Sequence, residues 1–165
     1  MPMEIERKFL IRDDGWQAAA VRARHIRQGY LQQSEAVSIR IRIVDDDVAR
    51  LTIKSSAAGL SRQEFEYDIP LADAGQLLPL CQGTLIVKTR HEVPWEGLTW
   101  EIDVFEEENA GLIIAEVELE AENQSVRLPP WLGTEITGNP RYYNSRLAAE
   151  PFRGSAPSET GTDKQ

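Results

Sequence analysis

Glu4, Glu6 and Lys8 stand at every second position near the start of the chain, and the same spacing returns with charged residues along most of its length. Arg40 and Arg42 alternate in this way, as do Arg50, Thr52 and Lys54, then Arg62, Glu64, Glu66 and Asp68. Lys88 and Arg90, Glu101 and Asp103, and Glu116, Glu118 and Glu120 follow the same rule. In an extended strand alternate side chains share one face, so each run puts its charges on one side and leaves mainly Ile, Val, Leu, Phe, Tyr and Trp on the other. One such run is what a solvated sheet face looks like. The grouping says more. Acids gather at residues 4–6, 101–103 and 116–120, whereas 40–42, 50–54 and 88–90 carry bases with no acid on that face. Like charges facing one another weaken a sheet, and a face shaped only for solubility mixes its signs. Separated signs fit a bound partner that satisfies both blocks. A phosphate chain bridged by divalent cations is such a partner: bases neutralise its oxygens and carboxylates hold the cations that touch the same oxygens.

The rest of the composition narrows the chemistry. The chain has two histidines, His25 and His91, which argues against a His-rich zinc site and points any catalytic cation to carboxylates. Oxygen-only ligation favours Mg²⁺ or Mn²⁺. The lone Cys81 cannot form an internal disulfide, and with Leu77, Leu78 and Leu80 beside it reads as a small buried apolar residue. The net charge of −9 argues against non-specific nucleic-acid binding, which needs a basic surface. No apolar stretch approaches the ~20 residues of a membrane helix. The charged Met1–Leu10 segment lacks the apolar centre of a secretory signal, and the cytoplasm is the expected location.

These side chains need strands to hold them, and the alternation predicts about eight. They span Met3–Ile11, His25–Gln33, Val37–Val44, Val48–Ser55, Ser61–Ile69, Leu85–Val93, Leu98–Phe105 and Ile113–Ala121. Asp45–Asp47 and Glu96-Gly97 read as hairpin turns. Short helices are expected at Asp13–Val21, at Leu71–Gln82 with Pro79 kinking or ending it, and near Arg141–Ala149. Residues 1–150 form one mainly β domain, and 151–165, rich in small and polar residues, form a disordered tail. Closing the sheet into an eight-stranded antiparallel barrel turns the charged face inward and abolishes the exposed edges. The apolar outer face then needs cover, from the few helices or from a second subunit in a homodimer. An open sheet with its charges in solvent is the alternative.

The opening Glu4-Ile5-Glu6-Arg7-Lys8 resembles the E-x-E-x-K signature of the CYTH, or triphosphate tunnel metalloenzyme, superfamily. Arg40-Ile41-Arg42, Thr52-Ile53-Lys54, Arg62-Gln63-Glu64-Phe65-Glu66, Lys88-Thr89-Arg90, Glu101-Ile102-Asp103 and Glu116-Val117-Glu118 resemble its later motifs in order. Arg141-Tyr142-Tyr143-Asn144 is similar to its closing segment, so the resemblance covers about residues 3–149. It implies an eight-stranded barrel forming a tunnel, and hydrolysis of triphosphates with Mg²⁺ or Mn²⁺. The compact bacterial members, which this chain looks most like, favour inorganic tripolyphosphate. Carried over residue by residue, Lys8, Arg40, Arg42, Lys54, Lys88 and Arg90 cradle phosphates, while Glu4, Glu6, Glu101, Asp103, Glu116 and Glu118 hold metal. Tyr30 and Lys8 help to orient the attacking water. Arg62, Glu64, Glu66 and Arg141 belong either to the tunnel or to structural ion pairs. An adenylate cyclase, a thiamine or nucleoside triphosphatase, or a non-catalytic polyphosphate-binding module are the competing readings.

Overall fold

A computed structural model describes residues 5–55 and 63–152. Its strands are β1 (Ile5–Ile11), β2 (Arg22–Gln33), β3 (Val37–Val44), β4 (Val48–Ser55), β5 (Glu64–Ile69), β6 (Gln82–Trp95), β7 (Leu98–Phe105), β8 (Ile113–Leu119) and β9 (Leu132–Glu135). They form one nine-stranded sheet in the order β5-β4-β3-β2-β6-β7-β8-β1-β9, with every pairing antiparallel. Both expected hairpin turns are present, with Asp45 and Asp46 at φ 54 and 53 and Glu96-Gly97 at φ 50 and 81. These left-handed pairs match the twist of the strands they join.

The expected eight antiparallel strands become nine with β9, and among the described residues no hydrogen bonds close the sheet into the expected barrel. Trp131 to Glu135 return along the free edge of β1, where Phe9 pairs with Glu135 and Ile11 with Leu132, and the Ile136 amide donates to the Lys8 carbonyl at 2.8 Å. That edge is thereby taken, and among the described residues β5 and β9 are the two ends of an unclosed sheet. The sheet nevertheless curls: Glu6 of β1 and Glu64 of β5 line the same cavity.

Three apolar clusters hold this shape. Helix α1 (Leu71–Leu77) and the turn Leu78–Leu80 cover the outer face of β3 and β4, where Ile41, Ile43 and Ala49 meet Ala74 and Leu78. Pro79 ends the α-helix and forces the tighter turn, as expected. The outer face of β1, β6, β7 and β8 is covered by Trp16, from a 3₁₀ helix over Asp14–Ala19, and by Trp131 and Leu132. Phe9, Trp100 and Trp131 stack edge to face, with centroids 5.7 and 6.0 Å apart.

The third cluster lies on the inner face. Ile86 shares the alternation of Lys88, Phe105 that of Asp103, and Ile114 that of Glu116, so the inner face turns apolar at one end. Helix α2 (Asn144–Ala149) packs there through Leu147 and Ala148, against Tyr30, Ile86, Phe105 and Ile114. Gly83 permits this docking: its φ is +69, and a Cβ there would lie 2.4 Å from the Ala148 carbonyl. Of the expected tail, Pro151 and Phe152 are described. Phe152 packs on this cluster, its amide donating to Asn109 Oδ1 at 2.7 Å; residues 153–165 lie outside the described residues.

Candidate active site

The curled sheet encloses a cavity of about 860 Å³. Lys8, Tyr30, Arg40, Arg42, Lys54, Lys88 and Arg90 all line it, together with Glu6, Glu101, Glu116 and Glu118. Glu4 and Arg62 lie outside the described residues. Glu64 and Glu66 reach the cavity, whereas Arg141 lines a smaller pocket of about 410 Å³ beside α2. Neither histidine reaches it: the His91 ring packs on Trp16 at 4.9 Å, and His25 lies 3.7 Å from Glu106.

Register explains the basic side. Arg42 of β3 stands opposite Arg50 of β4 and opposite Gln28 of β2, while Lys88 and Arg90 come from β6 on the far side of β2. Arg42 Nε donates to Gln28 Oε1 at 2.6 Å, and Arg40 donates to Thr52 Oγ1 at 3.2 Å. Lys54 is 3.8 Å from Glu64, and Arg40 is 4.0 Å from Glu66. Burial pulls the Arg42 guanidinium down to about 9, helped by the neighbouring positive charges of Arg40 and Arg90. Tyr30 is buried and its hydroxyl is pushed above its ordinary value, against the pull of Arg40, Arg42 and Lys8. It stays a protonated phenol.

Asp103, expected among the metal ligands, also stands as counter-ion to two cations. It is 5% exposed, faces Arg90 across the β6–β7 ladder, and has both oxygens occupied. Lys88 Nζ donates to Oδ2 at 2.7 Å, while Arg90 donates through Nε to Oδ1 at 2.8 Å and through Nη2 to Oδ2 at 2.9 Å. Burial works to raise this carboxyl, but Lys88 and Arg90 override it and hold it well below the usual carboxylate range. Lys88 is 1% exposed, and burial brings it down to about 7 despite Asp103, a counter-ion it shares with Arg90.

The acidic side comes from β1, β7 and β8. Glu6 pairs with Glu118 and Glu101 with Glu116, so carboxylates face carboxylates. Glu101 is raised by burial and by the nearby Glu116 charge, against Arg90. Burial opposes ionisation of Glu116 too, but a hydrogen bond with Glu6 and the charges of Lys8 and Arg90 lower it. Arg90 lies 3.4 Å from Glu101 and 3.9 Å from Glu116, and Lys8 is 3.6 Å from Glu6. Among the described residues no three His, Cys, Asp or Glu are drawn into a ready-made cage. The donors on this side, Glu6, Glu101, Glu116 and Glu118, are all carboxylate oxygens, the donor type that hard divalent cations take.

Thr52, already placed on the charged face by its alternation with Arg50 and Lys54 but given no role there, lines the cavity together with Gln28 and Asn144, which were not expected in the site. Gln28 falls in the phase of Tyr30, the one signal that could have found it.

A curled antiparallel sheet whose inner face carries a block of basic side chains beside a block of carboxylates defines the class, and the chain belongs to the CYTH domain family, which matches residues 2–146. Two relatives align over nearly the whole chain. One is the inorganic triphosphatase of Acetivibrio thermocellus, 42% identical over 154 residues, 93% of this chain and 97% of the relative. The other is the inorganic triphosphatase of Nitrosomonas europaea, 38% identical over 152 residues, 88% of this chain and 96% of that one. The crystal structure of the inorganic triphosphatase NE1496 superposes with a TM-score of 0.69 at 33% identity, covering 94% of this chain and 99% of that one. Among the described residues no helix is long and apolar enough to cross a membrane.

Proposed function

We infer that this protein is a hydrolase of inorganic triphosphate, splitting tripolyphosphate into pyrophosphate and phosphate with the help of a divalent cation. The carrying observation is the cavity in which Arg40, Arg42, Lys54, Lys88 and Arg90 converge while Glu6, Glu101, Glu116 and Glu118 group together on neighbouring strands. Water adds to a terminal phosphorus, the bridging P–O bond breaks and pyrophosphate leaves. Phosphoryl transfer of this kind is governed by positioning and charge neutralisation and needs no covalent nucleophile. The arginines offer forked contacts to phosphate oxygens and the lysines compact charges. Glu4, Glu6, Glu101, Glu116 and Glu118 are the proposed holders of Mg²⁺ or Mn²⁺. When bound, the cation neutralises phosphate oxygens and lowers the pKa of water. Lys8, close to Glu6 and over the Tyr143 ring at 5.6 Å, and the protonated Tyr30 hydroxyl are the groups proposed to orient the attacking water.

Inorganic rather than nucleotide substrate is supported by the lining. Among the described residues, Ile5 is its one aliphatic side chain and Tyr30 and Tyr143 its aromatics, which leaves little apolar surface for a base. The test compares phosphate release from tripolyphosphate, ATP and thiamine triphosphate with Mg²⁺, Mn²⁺ or chelator. Tripolyphosphate is expected to turn over fastest and chelator to abolish the reaction. Turnover insensitive to chelator, or a preference for ATP, would count against this reading.

A further inference from the structure

Arg42 and Lys88 stand on strands separated by β2, roughly 10 Å apart at two inter-strand spacings. They would have to converge on a single short phosphate chain. Between them lie two neutral amides. Gln28, wholly buried on β2, takes Arg42 Nε on its Oε1 at 2.6 Å and points its Nε2 at Asn144 Oδ1, 3.2 Å away. The same Asn144 oxygen accepts from Lys88 Nζ at 2.9 Å.

The order of donors and acceptors allows one arrangement only. Arg42 and Lys88 can only donate, so each must meet an oxygen. Once Gln28 has given its oxygen to Arg42, its remaining amide group must find another oxygen, and Asn144 supplies it to both. We propose that Gln28 and Asn144 are positioning residues that fix the spacing of Arg42 and Lys88 for the substrate without neutralising either. Charge explains the choice of amide. Asp103 already serves Lys88 and Arg90; a further carboxylate between Arg42 and Lys88 would cancel positive charge that the phosphate chain is to meet. Amides hold the geometry and leave the charge. Asn144 also opens α2, so the helix that fills the apolar end of the cavity sets the cradle at the same time.

This inference rests on the phosphate-cradle reading, and its experiment separates the two. Asn144→Ala and Asn144→Asp are compared with the unaltered protein for KM and kcat on tripolyphosphate, for thermal unfolding, and in ligand-free crystal structures. Loss of the shared acceptor in Asn144→Ala is expected to raise KM by about tenfold to a hundredfold, the range for a hydrogen bond to a charged group, and to let Lys88 or Gln28 shift in the crystal. Asn144→Asp keeps the acceptor and the ligand-free arrangement, holds its unfolding midpoint, and still raises KM through its added charge. Ligand-free crystals of Asn144→Ala with Arg42, Gln28 and Lys88 unmoved would overturn the proposal, as would an unchanged KM in both variants. If the unaltered protein does not hydrolyse tripolyphosphate, the functional reading falls by itself, and those crystals still decide the positioning role.

Discussion

Replacing Asp103 by Asn separates a counter-ion from a metal ligand. Asp103 is buried, and its two oxygens take three donors from Lys88 and Arg90. The substitution leaves two buried cations without their shared charge and turns an NH₂ group toward donors. Removing one partner of a buried ion pair costs about 3–5 kcal/mol. For a chain of this length each kcal/mol moves Tm by about 2–4 °C, so a fall of about 10 °C is expected. The pH dependence has a definite sign. The folded-state value of Asp103 is depressed, so its contribution is present above its ordinary value of 3.8 and lost as pH falls below it. In the unaltered protein burial brings Lys88 down to about 7 even though Asp103 raises it; without Asp103 the lysine is depressed further, and the variant escapes part of the penalty by losing that proton at a lower pH. The gap between the two proteins is therefore widest just above the ordinary Asp value and narrows as pH rises toward about 7, above which both proteins gain stability alike. Thermal unfolding in chelator across pH 4–9 measures it. A metal ligand predicts no loss in chelator; Tm values within about 2 °C of each other throughout, well under what ~1 kcal/mol produces, would refute the counter-ion assignment.

Three further outcomes follow from the geometry. Gly83→Ala puts a Cβ 2.4 Å from the Ala148 carbonyl at a φ of +69, so it should lower Tm more than the ~1 kcal/mol of an ordinary glycine replacement and loosen α2, seen as faster amide exchange there. Glu116→Gln should weaken Mg²⁺ or Mn²⁺ binding, read as a rise in the cation concentration for half-maximal rate; because burial raises the neighbouring Glu101 carboxyl above its ordinary value, metal affinity should also fall as the solution becomes more acidic. Arg7→Ala removes a forked pair with Glu135, with contacts of 2.8 and 2.9 Å, but the pair is well exposed and its loss should cost no more than about 1 kcal/mol in urea unfolding.

Strands were legible where two-residue alternation ran unbroken: Val37–Val44, Val48–Ser55 and Leu98–Phe105 have the expected bounds. β9 escaped because its four residues, Leu-Gly-Thr-Glu, are too few to alternate and follow two prolines. That omission cost the strand count and the identity of the sheet's edge, since β9 occupies the edge of β1. β6 runs on to Trp95 through Pro94, a residue that reads as a stop. Alternation assigned the face of Asp103 correctly but carries no depth, and only the register opposite Arg90 reveals its ion pairs. Gln28 and Asn144 were invisible to a search for charge because they act by supplying neutral acceptors.

The central claim is that one phosphate chain lies between the two blocks of charge. A crystal structure with tripolyphosphate and Mg²⁺ tests it most directly, in a variant slowed by Tyr30→Phe. Phosphate oxygens are expected within hydrogen-bond distance of Arg42, Lys88 and Arg90, with the cation on Glu6 or Glu116. Phosphate bound elsewhere, with the cavity holding only water under saturating ligand, would contradict it.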